Sequence, residues 1–461
     1  MIYLQNIGTF GEIGASCYYL YIDGTGIVID AGMHPKKDGV ESLPDFDKLE
    51  DKQVDYLIIT HAHHDHIGSV PYLVRRHPHV KILSTVNTVE LAILSMVNSS
   101  RIMKEYVETR TLTAKQRSSL MPYTAEETTY LGRMIEGLEY EKPYFLSGFK
   151  HKSSEDIELV LYDSGHIMGS ASLLIKHKGF SFFFTGDINF TPQTILAGAQ
   201  IPRMSVDVLL SEATLGSTAL QGTWKEEEEK LAKALNAVLS NGGSALIPVF
   251  AIGKSQELLA SIYDMMIDHK IPISPIYVAG MSNKVNRLYD SGRFRGSRVS
   301  LSYDLREIPK ITLKDSTPLN EIFKGKSIVL ATSGMMIEDT KSFRLAEDFL
   351  KNSKCGIFSV GYMDPDTPGY RVSNAKTGDE IEFKKGKPPV KVMCSIDKFR
   401  FSAHAKREDL VNFVKQVKAK RVILTHGDND AVNELGALML EKYPGLSLTV
   451  AEEQRIVLRE D

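Results

Sequence analysis

Cysteine is scarce in this chain: 461 residues hold three, Cys17, Cys355 and Cys394, far apart and with no CxxC spacing. That excludes a disulfide framework and a zinc site built from thiolates. Each of the three lies in an apolar run that reads as a strand. Long hydrophobic runs are missing too, since no apolar stretch reaches 18 residues, so no membrane-spanning helix and no membrane partner are expected. Met1-Ile2-Tyr3-Leu4-Gln5-Asn6 has no basic region ahead of an apolar core, so no secretory leader is expected and a reducing, cytoplasmic location is the default. Charge of one sign is also lacking. With a formal net charge of only −3, a nucleic-acid partner would have to be met by a local basic groove and not by the global field. There is no low-complexity tail, internal repeat or appended RNA-binding module.

What the chain does have is concentrated in Thr60-His61-Ala62-His63-His64-Asp65-His66-Ile67-Gly68. The preceding run, Val54 to Ile59, is β-branched and apolar and reads as a buried strand; Ser69 to Val74 reads as the start of a helix. Imidazoles two apart at a strand end can close on one ion, while the next Asp and His, turned onto the helix start, can reach a second. Imidazole with carboxylate and no thiolate fits a catalytic zinc site that keeps a position open for water. A chance His-rich surface loop is the bland alternative, and the residues further along argue against it.

Those residues follow one grammar: strand, glycine or small residue, then a single ligand-type side chain. Ile27 to Ile29 ends at Asp30, which either caps a turn or orients a ligating imidazole. Ile157 to Tyr162 leads to His166, Phe180 to Thr185 leads to Asp187, and Arg421 to Leu424 leads to His426. Strands delivering ligands from one sheet edge converge on one place, and Asp187 can bridge two ions through its two oxygens.

At 461 residues the chain suggests two domains, or one interrupted by another. The front half reads as hairpins, with residues from about Thr88 to Tyr140, including Leu131, Met134, Ile135 and Leu138, as a helical excursion. From about Val206 strand and helix alternate in the manner of a parallel sheet. The expectation is a parallel α/β unit inside a mostly antiparallel metal-binding one, with borders at 1–214, 215–397 and 398–461. The loop Ala331 to Met336 follows a strand and precedes a helix, so the amides of Ser333 and Gly334 either face a phosphate or form an ordinary βα loop. Phe250 and Tyr362 read equally as core or as stacking platforms.

Taken together, these residues resemble the metallo-β-lactamase superfamily and, within it, the β-CASP ribonuclease branch, which includes the endonuclease subunit of the cleavage and polyadenylation machinery and compact bacterial counterparts. Asp30 matches the first motif, His61-x-His63-x-Asp65-His66 the second, His166 the third and Asp187 the fourth. Glu212, His404 in Phe-Ser-Ala-His and His426 in Leu-Thr-His-Gly match the three that the branch adds. The resemblance implies an α/β fold, an αβ/βα sandwich with an inserted parallel α/β β-CASP domain. It implies two Zn2+, with Mn2+ able to take the same sites. His61, His63 and His166 would hold one ion, Asp65, His66 and His426 the other, and Asp187 would bridge them. Asp30, Asp65, Glu212 and His404 would form the catalytic set. His at the last motif is similar to the branch members acting on RNA.

Three departures stand out. His64 is an extra His, read as outward-facing and not ligating. Glu212-Ala213-Thr214-Leu215-Gly216 replaces the commoner Glu-Ser-Thr-Tyr-Gly. Lys254 stands where the family signature usually has Arg; at a helix start it would meet a phosphate as a point charge. Arg371 is a further substrate-binding candidate on resemblance. The expected activity is hydrolysis of single-stranded RNA by metal-bound hydroxide, endonucleolytic or 5′-to-3′ exonucleolytic, leaving a 5′-phosphate and a 3′-hydroxyl. His404 would protonate the leaving oxygen and Glu212 would orient it. A homodimer or an RNA-processing complex would suit such a chain. A DNA nuclease of the same branch, a small-molecule hydrolase on the same fold and a catalytically dead scaffold subunit of a processing complex are the alternatives.

Overall fold

The computed structural model describes all residues except 148–156, 220, 221, 293–295, 297, 300–302, 315, 453 and 461. Tyr56–Ile58 is apolar at every position because both its faces are covered. Tyr56 and Ile58 point into a core between two sheets, while Leu57 and Ile59 point into a core of helices. The first sheet has seven strands in the order Arg455–Arg459, Ile2–Asn6, Tyr18–Ile22, Thr25–Ile29, Tyr56–Ile58, Lys81–Thr85, Ile135–Leu138. The second also has seven, in the order Ser447–Val450, Arg421–Thr425, Val208–Glu212, Phe180–Phe184, Ala171–His177, Ile157–Asp163, Tyr144–Leu146. Leu20, Ile27 and Ile29 of the first meet Leu173, Phe182, Phe184 and Leu210 of the second. Helices Arg407–Gln416 and Asn429–Lys442 cover the far side of the second sheet through Leu410, Phe413 and Leu435. This is the expected sandwich of two sheets with helices outside.

Two expectations are corrected. The sandwich is not mostly antiparallel: hairpin-linked strands pair antiparallel, but Thr25–Ile29 through Ile135–Leu138, and Phe180–Phe184 through Ser447–Val450, pair parallel. Those strands are joined by crossovers, several of them helical, and a crossover returns the chain in the same direction. Second, the helical excursion is three helices, Val86–Glu108, Ala114–Leu120 and Ala125–Leu131, that stop short of Tyr140. Gly132 caps the last, and Ile135–Leu138 becomes a strand beside Lys81–Thr85. A short apolar run does not distinguish helix from strand by periodicity alone. The cysteines are free and buried, each one residue ahead of its strand and not within it.

Between Glu212 and Arg421 the chain builds a third sheet, in the order Ile311–Thr312, Ile276–Val278, Ser327–Ala331, Ser244–Pro248, Gly356–Ser359, Ser395–Lys398. Every pairing is parallel, as the alternation of strand and helix predicts. Helices Trp224–Ser240 and Lys254–Ile267 cover one face and Lys341–Leu350 the other. The first of these is started by a capping box between Thr223 and Glu226. The core on the Trp224 side is continuous with that outside the first sandwich sheet, so the inserted unit shares a core with the sandwich. Among the described residues no helix is long and apolar enough to cross a membrane.

Candidate metal centre

Parallel strands deliver their carboxyl ends to one edge, and the ligand-type residues lie there. Asp30 follows Thr25–Ile29, His61 to His66 follow Tyr56–Ile58, Asp187 follows Phe180–Phe184, Glu212 ends Val208–Glu212, and His426 follows Arg421–Thr425. Two local features make this edge tight. Gly32 lies so close to the Asp65 carbonyl that a Cβ would sit 1.6 Å from it, so only glycine lets the 30–33 segment cradle the histidine turn. Asp30 and His426 adopt left-handed backbone (φ 60° and 49°), which non-glycine residues seldom take and which functional sites often hold.

The side chains form two groups around Asp187. In the first, His63 Nδ1 lies 3.0 Å from His166 Nε2, and Asp187 Oδ2 lies 3.5 Å from His61 Nε2 and 3.6 Å from His166 Nε2. In the second, His66 Nε2 lies 3.3 Å from His426 Nε2 and 3.8 Å from Asp65 Oδ2, and His426 Nε2 lies 3.6 Å from the same Asp65 oxygen. Asp187 Oδ1 faces this second group, 3.5 Å from His66 Nε2 and 3.3 Å from His426 Nδ1. The ligand atoms of each group lie within 4.8 Å of one another.

The residues present fit two divalent cations. Ring nitrogens of His63 and His166, and of His66 and His426, face each other, and His61 Nε2 and Asp187 Oδ1 are buried without a hydrogen-bond partner. The other nitrogen of each imidazole is already held. His61 Nδ1 lies 3.1 Å from the Thr60 hydroxyl, His63 Nε2 3.3 Å from the Ile252 carbonyl, and His166 Nδ1 2.7 Å from the Ala403 carbonyl. His66 Nδ1 lies 2.8 Å from Asp30 Oδ2, and His426 Nδ1 3.1 Å from the Thr214 hydroxyl. Partners of this kind orient metal-ligating histidines. Burial pushes His61 and His166 well below the usual imidazole range and His63 below it, which favours the neutral form that binds metal. At His66 burial acts the same way, but Asp187, Asp65 and Asp30 outweigh it and push the group up to about 10. The carboxylates thus leave a negative field that dications would neutralise.

Asp30 is wholly buried and touches no open part of the site. It accepts from the Thr60 amide and hydroxyl, both at 2.7 Å, as well as facing His66. Glu212 and His404 form a pair beside Asp187. Glu212 Oε2 lies 3.0 Å from His404 Nδ1, and Glu212 Oε1 accepts from the Ile188 amide at 2.7 Å. Burial opposes charge on His404, but Glu212 and Asp187 outweigh it and push its pKa up to about 9. His64 belongs to neither ligand group.

The substrate-binding candidates are not drawn into this cluster. Lys254 heads its helix as expected, but its amine is buried against the Phe401 carbonyl and the Trp224 ring. The Ser333 hydroxyl accepts from the Ile337 amide and so braces its own loop, while Gly334 makes room for the Phe250 ring. Arg371, in helix Pro368–Ser373, lines a separate cavity of about 450 Å3 with Tyr370, Asn374, Asp379, Glu380 and Glu382. Tyr362 is half exposed. The supporting roles of Thr60, Thr214 and the Ala403 carbonyl escaped the sequence reading. The two hydroxyls stood beside motif residues; the carbonyl left no signal, being backbone.

Three family profiles match the chain in order: "Metallo-beta-lactamase superfamily" over residues 10–104, "Beta-Casp domain" over 255–372, and "Zn-dependent metallo-hydrolase RNA specificity domain" over 389–450. Endoribonuclease ysh-1 of Neurospora crassa is 28% identical over 98% of this chain and 54% of its own length. Cleavage and polyadenylation specificity factor 73 of Drosophila melanogaster is 26% identical over 96% of this chain and 62% of its own length. The chain thus spans about half the length of the fungal relatives it matches. A solved structure from Enterococcus faecalis V583, a protein of unknown function, has the same fold: TM-score 0.57, 14% identity, 99% of both chains covered. With the sandwich, the inserted parallel sheet and the order of the three profiles in agreement, this chain belongs to the metallo-β-lactamase superfamily, in its β-CASP branch.

Proposed function

We propose that this chain is a ribonuclease that hydrolyses phosphodiester bonds of single-stranded RNA endonucleolytically, with two zinc ions at the His–Asp cluster. The observation that carries the reading is the His404–Glu212 pair, set against Asp187 at the mouth of the cluster. A small-molecule hydrolase on this sandwich needs neither that pair nor an inserted domain. The relatives named endoribonucleases support RNA and an internal cut.

His61, His63 and His166 would hold one ion, Asp65, His66 and His426 the other, with Asp187 shared. When bound, such ions offset charge on phosphate oxygens and lower the pKa of water. The protein's own groups do the rest. His404 gives its proton to the departing 3′-oxygen as water adds to phosphorus from the opposite side, leaving a 5′-phosphate and a 3′-hydroxyl. Glu212 holds Nδ1 and so presents Nε2 to the substrate. Asp30 and Thr60 keep His66 and His61 turned inward.

The test joins metal content by plasma mass spectrometry to incubation with 5′- and 3′-labelled single-stranded RNA and DNA of matched sequence. About two zinc ions per chain and internal RNA fragments are expected. Mononucleotides released only from the 5′ end would replace the internal cut with exonuclease action, and preferential DNA cleavage would overturn the RNA assignment. His404→Ala should keep both ions and lose about a hundredfold or more of RNA cleavage; normal cleavage by that variant would remove His404 from the reaction.

A further inference from the structure

Side chains from the two helices that open the inserted unit converge on one short backbone stretch, Arg400–Phe401. Lys254 Nζ donates to the Phe401 carbonyl at 2.5 Å. Glu227 Oε2 accepts from the Arg400 amide at 2.8 Å. The Trp224 ring meets the Phe401 ring edge-on with centroids 4.8 Å apart, and the Lys254 amine lies 4.6 Å from the Trp224 centroid. Lys254 is 8% exposed and Glu227 5%, so neither has a free face to offer a polyanion. A little further along are Ala403, whose carbonyl lies 2.7 Å from His166 Nδ1, and then His404, 3.0 Å from Glu212. The Ala405 amide is held in turn by the Ile188 carbonyl at 2.6 Å. The stretch is pinned on its far side by the sandwich and on its near side by the inserted unit, with His404 between the two holds.

We propose that Lys254 is a positioning residue, which fixes the Arg400–His404 stretch through the Phe401 carbonyl and thereby sets the place of the His404 imidazole. It does not grip a phosphate. A buried amine that gives up its hydrogen bond regains no water for it, so this tether is stiff. Loss of the donor also orphans the Phe401 carbonyl and lets the stretch relax, and sub-ångström errors in placing a reacting group are costly. The inference rests on the proposed role of His404.

The experiment compares Lys254→Met, Lys254→Arg and Glu227→Met with the wild-type chain on two substrates. One is single-stranded RNA, whose leaving 3′-oxygen needs a proton. The other is the p-nitrophenyl ester of uridine 5′-monophosphate, whose leaving phenolate departs without one. In both, a bond forms from phosphorus to the oxygen of water and the bond to the leaving oxygen breaks. Lys254→Met should lose about tenfold in kcat on RNA with KM little changed. Its loss on the ester should be much smaller, with zinc content and melting temperature retained. Lys254→Arg, which keeps an N–H donor, should recover most of the RNA activity, and Glu227→Met should share the RNA-specific loss. Equal losses on both substrates, or a raised KM with normal kcat, would overturn the proposal. Amide hydrogen exchange over residues 400–405 provides a readout free of activity: faster exchange in Lys254→Met is expected, and unchanged exchange would also overturn it. A wild-type chain that hydrolyses the ester but not RNA would sink the ribonuclease reading alone, and the exchange data would still decide the placement of the stretch.

Discussion

Asp30 shows how much of the candidate metal centre rests on side chains buried behind it. Its carboxylate takes three hydrogen bonds, from the Thr60 amide, the Thr60 hydroxyl and the His66 ring, on a left-handed backbone. Asp30→Asn leaves the shape but replaces one oxygen by a donor and removes the charge facing His66. Zinc retention by the Asp65, His66 and His426 group should fall about ten- to a hundredfold, measured by competition with a chromophoric chelator. Retention equal to wild type would reduce Asp30 to a turn residue. This residue was legible in the sequence as a strand-end aspartate near a histidine cluster. Its choice between capping a turn and orienting an imidazole was not, because that depends on which strand lies alongside.

Helix Lys254–Ile267 carries the clearest electrostatic burden in the inserted unit. Glu257 is fully buried, its Oε2 accepting from the Ile195 amide at 2.6 Å while Oε1 has no hydrogen-bond partner. Burial, only partly offset by the Ile195 amide and Lys254, pushes its pKa up from 4.5 to about 7. The folded chain therefore holds this proton where the unfolded chain has released it. Stability from this group is full below about pH 4.5 and is lost as pH rises toward about 7. Glu257→Gln keeps an acceptor for the Ile195 amide and removes the titration. Its melting temperature relative to wild type should rise between pH 5 and pH 7.5; a difference that stays constant over that range would contradict the assignment. The helix itself could be read from sequence to within a residue, since its apolar spacing is helical and Gly253 precedes it. The burial of Lys254 and Glu257 could not, because two charged residues in the first turn ordinarily read as a solvated helix start.

At the scale of the whole molecule, the candidate ligands join distant parts of the chain: His61 and His166 belong to opposite sheets, and His426 comes from the return segment after the inserted unit. Ions bound there act as a staple on the folded state only. Removing them with a strong chelator should lower the melting temperature, and zinc added back should restore it. The linkage is worth about 3 kcal/mol when free ion exceeds its Kd a hundredfold. A melting curve indifferent to chelator would mean that the cluster holds no tightly bound cation. Most sandwich strands, the inserted parallel unit and the positions of the ligand-type residues are legible in the sequence alone, because each is written locally, as an apolar run closed by a small residue and a His or Asp. Long-range packing alone settles which strands pair parallel, that Ile135–Leu138 is a strand, that Lys254 faces the Phe401 carbonyl, and which group holds the second nitrogen of each imidazole. Most of these are contacts between residues tens to hundreds of positions apart, several of them through backbone atoms, and the local pattern of side chains does not encode them.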